Sequence, residues 1–163
     1  MTEPTRCSRH SPSRGEGPYA CTVSVTAGRP PESFFGKLEE AGIKRVIDVR
    51  LRNASQLTGF AKREDLRFFL ERILCAEYRH EPLFAPTREM LRKYRAGQYS
   101  WEDYEREFLA LLRERVVERR FSPDLFALPT VLLCSEASPT HCHRRLVLEY
   151  LRGHWGGLEI VHL

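Results

Sequence analysis

Short runs of β-type apolar residues alternate with amphipathic helical patterns along most of this sequence. That alternation constrains the fold more than any other feature. CTVSVT at 21–26 alternates with β-branched residues and reads as a first strand. Residues 31–41 follow as a helix, with Phe34, Phe35, Leu38 and Ala41 on one face and Gly42 placed to end it. Residues 44–49 hold RVIDV, a second short strand. After the polar loop LRNASQLTG, residues 63–74 carry Leu66, Phe69, Leu70, Ile73 and Leu74 as the stripe of another helix. A third short strand is expected at 77–80 and a short helix at 87–94. The longest helix is expected to start at Ser100, with Asp103 completing a variant capping box, and to run to about Arg119. TVLLC, ending at Cys134, reads as a buried-type strand. Residues 140–152 form the next helix, stopped by Gly153, and 158–161 a last strand. This order predicts an α/β fold: a single three-layer domain with a mainly parallel sheet flanked by helices. Such sheets bind ligands at the carboxyl ends of their strands.

A chain of 163 residues fits one domain, placed at 20–163 behind a flexible arm at 1–19 rich in Ser, Pro, Gly and Arg. Apolar runs are only a few residues long, which excludes a helical bilayer span and a membrane partner. The first residues lack an apolar h-region, so no secretory signal is expected and the cytoplasm is the default compartment. Five cysteines, an odd count, argue against a disulfide framework there. They are left as core thiols, metal ligands or nucleophiles. The net charge of +4 is too small to require a polyanion partner. The 22 Arg against 4 Lys fit either biased genome composition or phosphate recognition by the guanidinium fork.

Two strands carry polar residues to their carboxyl ends, one as Asp48-Val49-Arg50 and the other as Cys134-Ser135-Glu136. If both run parallel in one sheet, these groups share an edge. The helix after Cys134 begins at that edge, where its N–H groups make an anion site. At roughly 100° per residue, His143, Leu146, Val147 and Tyr150 face the sheet, with Cys142 and Arg144 on the flanks of that stripe. His141 and Arg145 point away. Ser138 or Thr140 can cap the helix and Pro139 suits its first turn, which places Cys142 where the helix dipole and Arg144 favour thiolate. The candidate ensemble is Asp48, Arg50, Cys134, Glu136, Cys142, His143 and Arg144. Each also has a structural reading. Cys134 can be a core thiol, His143 a satisfied core histidine, Asp48 a partner for Arg50, and Glu136 a neutraliser of the helix N-terminus. Their joint placement at one edge favours a site.

The segments DVRLRNASQLTGF at 48–60, EYRHEPL at 77–83 and CSEASPTHCHR at 134–144 resemble the domain-of-unknown-function family numbered 488. The resemblance covers 21–151. It implies a compact α/β domain and adds Ser55 and Tyr78 to the positions of interest, without implying a reaction. The chain departs from the family pattern in three places. Thr26-Ala27-Gly28-Arg29 stands where Gly-His-Ser is common, Asn53 stands where proline is usual, and Phe84-Ala85 replaces a Gly-Gly pair.

Three functions compete. The first is an enzyme acting on a nucleotide, nucleic acid or other phosphorylated substrate. Glu136, Cys142 and His143 would be catalytic; Asp48, Arg50, Ser55, Tyr78, Cys134 and Arg144 would bind. A phosphatase loop is disfavoured, because Cys134 and Arg144 are ten positions apart with no glycine between them. A rhodanese-like loop is disfavoured for a similar reason. The second function is a module that binds the same ligands without turnover. The third is a metal site built from Cys134, Cys142 and His143 with His141 or Glu136. It ranks last, because adjacent positions on a helix diverge by roughly 100°. No metal and no cofactor are therefore expected.

Overall fold

The computed structural model describes residues 19–25, 30–54, 56–136 and 141–162. Residues 1–18 of the expected arm lie outside these, as do Ser55, Ser138, Pro139 and Thr140. The described residues contain five strands: β1 (Tyr19–Val25), β2 (Arg45–Asp48), β3 (Glu77–His80), β4 (Thr130–Cys134) and β5 (Leu158–His162). They form one sheet in the order β3-β2-β4-β1-β5, and every neighbouring pair is parallel. The chain between them supplies α1 (Pro31–Glu40), α2 (Arg63–Phe69), α3 (Arg88–Arg95), α4 (Trp101–Glu114), α5 (Val117–Arg120) and α6 (His143–Trp155). The expected α/β architecture is therefore present.

Alternation along each strand sends successive side chains to opposite layers. Ile47, Val49, Leu132 and Cys134 share a core with Phe108 and Leu112 of α4 and with the buried face of α6. Val46, Val131 and Leu133 pack with Phe34, Phe35 and Leu38 of α1 and with Leu66 of α2. A sheet covered on both faces explains why TVLLC is apolar throughout.

Local signals account for most helix ends. Ser100 Oγ accepts from the Asp103 amide at 3.1 Å, and Asp103 Oδ2 accepts from the Ser100 amide at 3.2 Å, so the capping box is closed. Thr87 Oγ1 caps α3 through the Met90 amide. The long helix stops earlier than the sequence pattern suggests. Val116 adopts a left-handed conformation, φ 53°, which separates α4 from α5. A β-branched residue there is strained, and the surroundings hold it in place. Arg115 Nη1 donates to the Leu83 and Ala85 carbonyls at 2.7 and 2.6 Å, tying the break to the turn after β3.

Helix α6 starts later than expected. Cys142 is extended, φ −134° and ψ 130°, so it precedes the helix and is not in its first turn. Gly153 lies inside α6, and Gly156, at φ 66°, ends it. The end of α2 winds into a π-turn, Leu70–Leu74, closed by Cys75 at φ 50°. Cys75 is disulfide-bonded, which departs from the expectation that the cysteines are thiols, metal ligands or nucleophiles.

Two substitutions on α4 separate capping from packing. Ser100→Ala removes one half of the capping box and is expected to cost about 1 kcal/mol. Phe108→Ala empties a fully buried position and is expected to cost about 3–5 kcal/mol. Urea unfolding checks both: the midpoint falls by the larger amount for Phe108→Ala, and the slope stays unchanged.

Candidate functional site

The pairing of β2 with β4 sets the geometry of the carboxyl edge. Asp48 lies opposite Leu133, and the Val49 amide donates to the Leu133 carbonyl at 2.9 Å. The two strands therefore finish together. Cys134 is one residue out of step with Asp48 and faces the other layer. The candidate residues accordingly form two clusters, one on each side of the sheet edge.

The first cluster surrounds Asp48, which is fully buried. Arg50 Nε and Nη2 donate to its two carboxylate oxygens at 2.8 and 2.7 Å, a bidentate pair. Nη2 also donates to the Ala61 carbonyl. Tyr78 Oη donates to Asp48 Oδ2 at 2.7 Å, and Asn53 Nδ2 donates to the same oxygen and to Tyr78 Oη, both at 3.1 Å. Burial pushes the Asp48 pKa up, but the Arg50 and Tyr78 donors outweigh it and hold the carboxyl below its ordinary value. Burial and the Asp48 charge push the Tyr78 phenol up. His80 Nε2 meets the Arg50 carbonyl at 2.9 Å. The guanidinium of Arg50 is thus engaged as a structural bridge. Asn53, which replaces the usual proline, contributes two of these bonds.

The second cluster lies on the α4–α6 side. Cys134 and Cys142 are both fully buried, with their Sγ atoms 3.3 Å apart. The Glu136 amide donates to Cys134 Sγ at 3.4 Å. Arg144 Nε donates to Cys142 Sγ at 2.9 Å, and Arg144 Nη2 to the Glu136 carbonyl at 3.2 Å. Cys142 Sγ stands 3.8 Å from Glu136 Oε2. His143 Nε2 faces the Val49 carbonyl at 3.3 Å. His143 Nδ1 lies 3.4 Å from Glu136 Oε2 as an ion-pair contact, yet it makes no hydrogen bond.

The two thiols are driven apart. Donation from Cys134, followed by the charge of Arg144, outweighs burial and lowers the Cys142 pKa. Burial, followed by the Cys142 contact, raises that of Cys134. Burial raises the Glu136 pKa, but His143 and the Cys134 contact overcome it and bring it to about 2.

A cleft of about 600 Å³ opens at this edge. Arg50 and Leu51 line one side, Ser135, Glu136 and His143 the floor, and α3 the remaining wall. Both ends of the predicted site therefore meet one cleft. Cys142 does not line it. The wall had not been anticipated: Arg88, Arg92 and Arg95 present three guanidinium groups, and Arg52 adds a fourth. Their spacing, i, i+4, i+7, was visible in the sequence as one helical face. None of these four is ion-paired among the described residues. A smaller hollow of about 260 Å³ between α3 and α4 is lined by three carboxylates and by Lys93, which is paired with Glu89 at 3.0 Å, so it does not suit an anion.

These features define a parallel α/β protein with a Cys/Glu/Cys/His cluster at the carboxyl edge of its sheet. The family model described as "Domain of unknown function DUF488" matches residues 30–151, and the chain belongs to that family. Comparisons with the curated proteins and with the solved structures returned no match. No helix among the described residues is long and apolar enough to cross a membrane.

Asp48→Asn leaves Arg50 buried without its counter-charge and is expected to cost about 3–5 kcal/mol at neutral pH. The Asp48 pKa is lowered on folding, so its contribution is complete above the unfolded pKa and lost as pH falls through the folded one. Thermal melts of parent and variant should therefore converge as pH drops below about 4. A constant gap down to pH 2 would contradict the charge assignment.

Proposed function

We propose that this protein recognises a phosphorylated ligand, of nucleotide size, in the arginine-walled cleft at the carboxyl edge of the sheet. One observation carries the reading: Arg52, Arg88, Arg92 and Arg95 line one cleft and none has an ion-pair partner among the described residues. Like charges held together without counter-ions repel, and an anion relieves that repulsion. Guanidinium forks match phosphate oxygens in geometry as well as charge. From Arg88 to Arg95 the helix rises about 10 Å, so the stripe suits more than one phosphate group. The volume of about 600 Å³ accommodates a small ligand and not a duplex. Arg50 acts in this reading as a support, because its Nε and Nη2 are already engaged by Asp48 and the Ala61 carbonyl, and Arg144 does not line the cleft.

A catalytic reading has one observation in its favour. Glu136 and His143 line the same cleft, so a proton acceptor and a second titratable group stand beside the ligand. Cys142 is sequestered behind Glu136, and we assign it no nucleophilic role.

Titration with a nucleoside triphosphate and with inorganic triphosphate, at several salt concentrations, tests the binding reading. Arg88→Ala/Arg92→Ala/Arg95→Ala should weaken affinity by at least about a hundredfold, with a shallower salt dependence and an unchanged melting temperature. Equal affinity in parent and triple variant would sink the proposal. Product analysis with Glu136→Gln separates the two readings. Turnover by the parent that disappears in the variant at retained affinity supports catalysis; binding without turnover supports recognition alone.

A further inference from the structure

Among the described residues, the Cys134, Glu136, Cys142 and His143 side chains offer four ligand atoms that all lie within 4.8 Å of one another. We propose that they form a tetrahedral site for one zinc-type divalent cation. This inference rests on the geometry of the cluster and is independent of the anion reading.

Bonds of about 2.3 Å to sulfur and about 2.1 Å to nitrogen or oxygen put the ligands of a tetrahedron about 3.4–3.8 Å apart. Cys142 Sγ to Glu136 Oε2, at 3.8 Å, and that oxygen to His143 Nδ1, at 3.4 Å, fall in this range. The two sulfurs, at 3.3 Å, stand closer and would separate slightly around an ion. Two thiolates, an imidazole and a carboxylate match zinc in softness. The objection from helix geometry does not hold. Cys142 is extended and lies outside α6, so it and His143 converge although they are neighbours.

Two independent features suit a cation at this position. His143 is almost fully buried, and its Nδ1 has no hydrogen-bond partner among the described residues while facing the other three ligand atoms. Its Nε2 faces the Val49 carbonyl, which fixes the proton there and leaves the Nδ1 lone pair free. Metal-bound histidines are oriented in this way. Second, Arg144 is fully buried and forms no ion pair with a carboxylate among the described residues; its Nε points at Cys142 Sγ. A buried guanidinium needs an anion. With two thiolates and one carboxylate around a dication, the set carries one net negative charge, and Arg144 balances it. The Glu136 amide on Cys134 Sγ supplies the sulfur-directed donor expected around a thiolate ligand. A thiol pair alone would explain the sulfur contact but not the convergence of His143 Nδ1 and Glu136 Oε2 upon it.

Glu136 also lines the cleft, which gives the ion an entry path. Binding expels the thiol protons to solvent and needs no oxidant or reductant.

The test is elemental analysis of the full chain, purified under reducing conditions without chelator from zinc-supplemented medium. It should return about one zinc per chain. Cobalt(II) added to chelator-treated protein should give thiolate-to-metal bands in the near ultraviolet and tetrahedral bands in the visible. Cys142→Ser and His143→Gln, checked for folding by circular dichroism, should each lower affinity by at least about tenfold. Less than about a tenth of an ion per chain with no cobalt spectrum overturns the proposal. So does undiminished affinity in both folded variants, or recovery of Cys134 and Cys142 as a disulfide in metal-free protein. The parent measurement decides even if a variant fails to fold.

Discussion

The parallel pairing of β2 with β4 is the constraint on which the rest of the structure depends. The register sets Asp48 opposite Leu133, so two strands 80 or so residues apart in sequence end at the same level. Beyond that level each chain leaves the sheet, and the pleat decides on which side its polar residues land. Asp48 and Arg50 turn toward α1 and α2, and Cys134 turns toward α4 and α6. Val49 links the halves: its amide bonds to Leu133 and its carbonyl receives His143. A slip of one residue would exchange the two faces and dissolve both clusters.

The edge thus carries two buried guanidinium groups with contrasting surroundings. Arg50 has a carboxylate in bidentate geometry, plus a carbonyl, and that carboxylate has further donors from Tyr78 and Asn53. This set is closed: nearly every polar atom answers another, and it stiffens one wall of the cleft. Arg144 has a sulfur and a backbone carbonyl, and its Nη1 has no hydrogen-bond partner among the described residues. Burying charge without good compensation is unfavourable, so such an arrangement survives where something beyond stability depends on it. The asymmetry separates a fully paired arginine from one with a donor left over, although both stand two residues past a key side chain.

Much of this was legible in sequence, for identifiable reasons. Period-2 and period-3.6 patterns arise from local geometry, so the strands at RVID and TVLLC and the inward face of α6 could be read directly. Shared placement of Asp48, Arg50, Cys134 and Glu136 at one edge followed from strand alternation. What was hidden depends on register and on tertiary contacts. Nothing local says that Cys134 and Asp48 face opposite layers. Nothing marks Val116 as a helix break, since no glycine or proline stands there; Arg115 reaching the Leu83 and Ala85 carbonyls accompanies it. The extended backbone of Cys142 shifted the helix start by three residues and turned a divergent Cys-His pair into a convergent one. The arginine stripe of α3 reads as an ordinary solvated face until the fold lays it along the cleft.

The cleft and the thiol cluster share Glu136 and His143, so the two proposals are coupled electrostatically. Without a cation, a Cys142 thiolate and the Glu136 carboxylate outweigh Arg144 by one negative charge at the cleft floor. That charge opposes an incoming anion even as the arginine wall attracts it. A bound dication that deprotonates Cys134 as well brings the same set to neutrality. Loading the cluster would therefore remove a repulsion from one end of the cleft while the wall stays unchanged. By reciprocity, an anion held on that wall would favour the loaded cluster to the same extent. The placement of a positive stripe along a cleft that shares Glu136 and His143 with the thiol cluster is thus a physical link between the two proposed sites, and it follows from the sheet edge that brings them together.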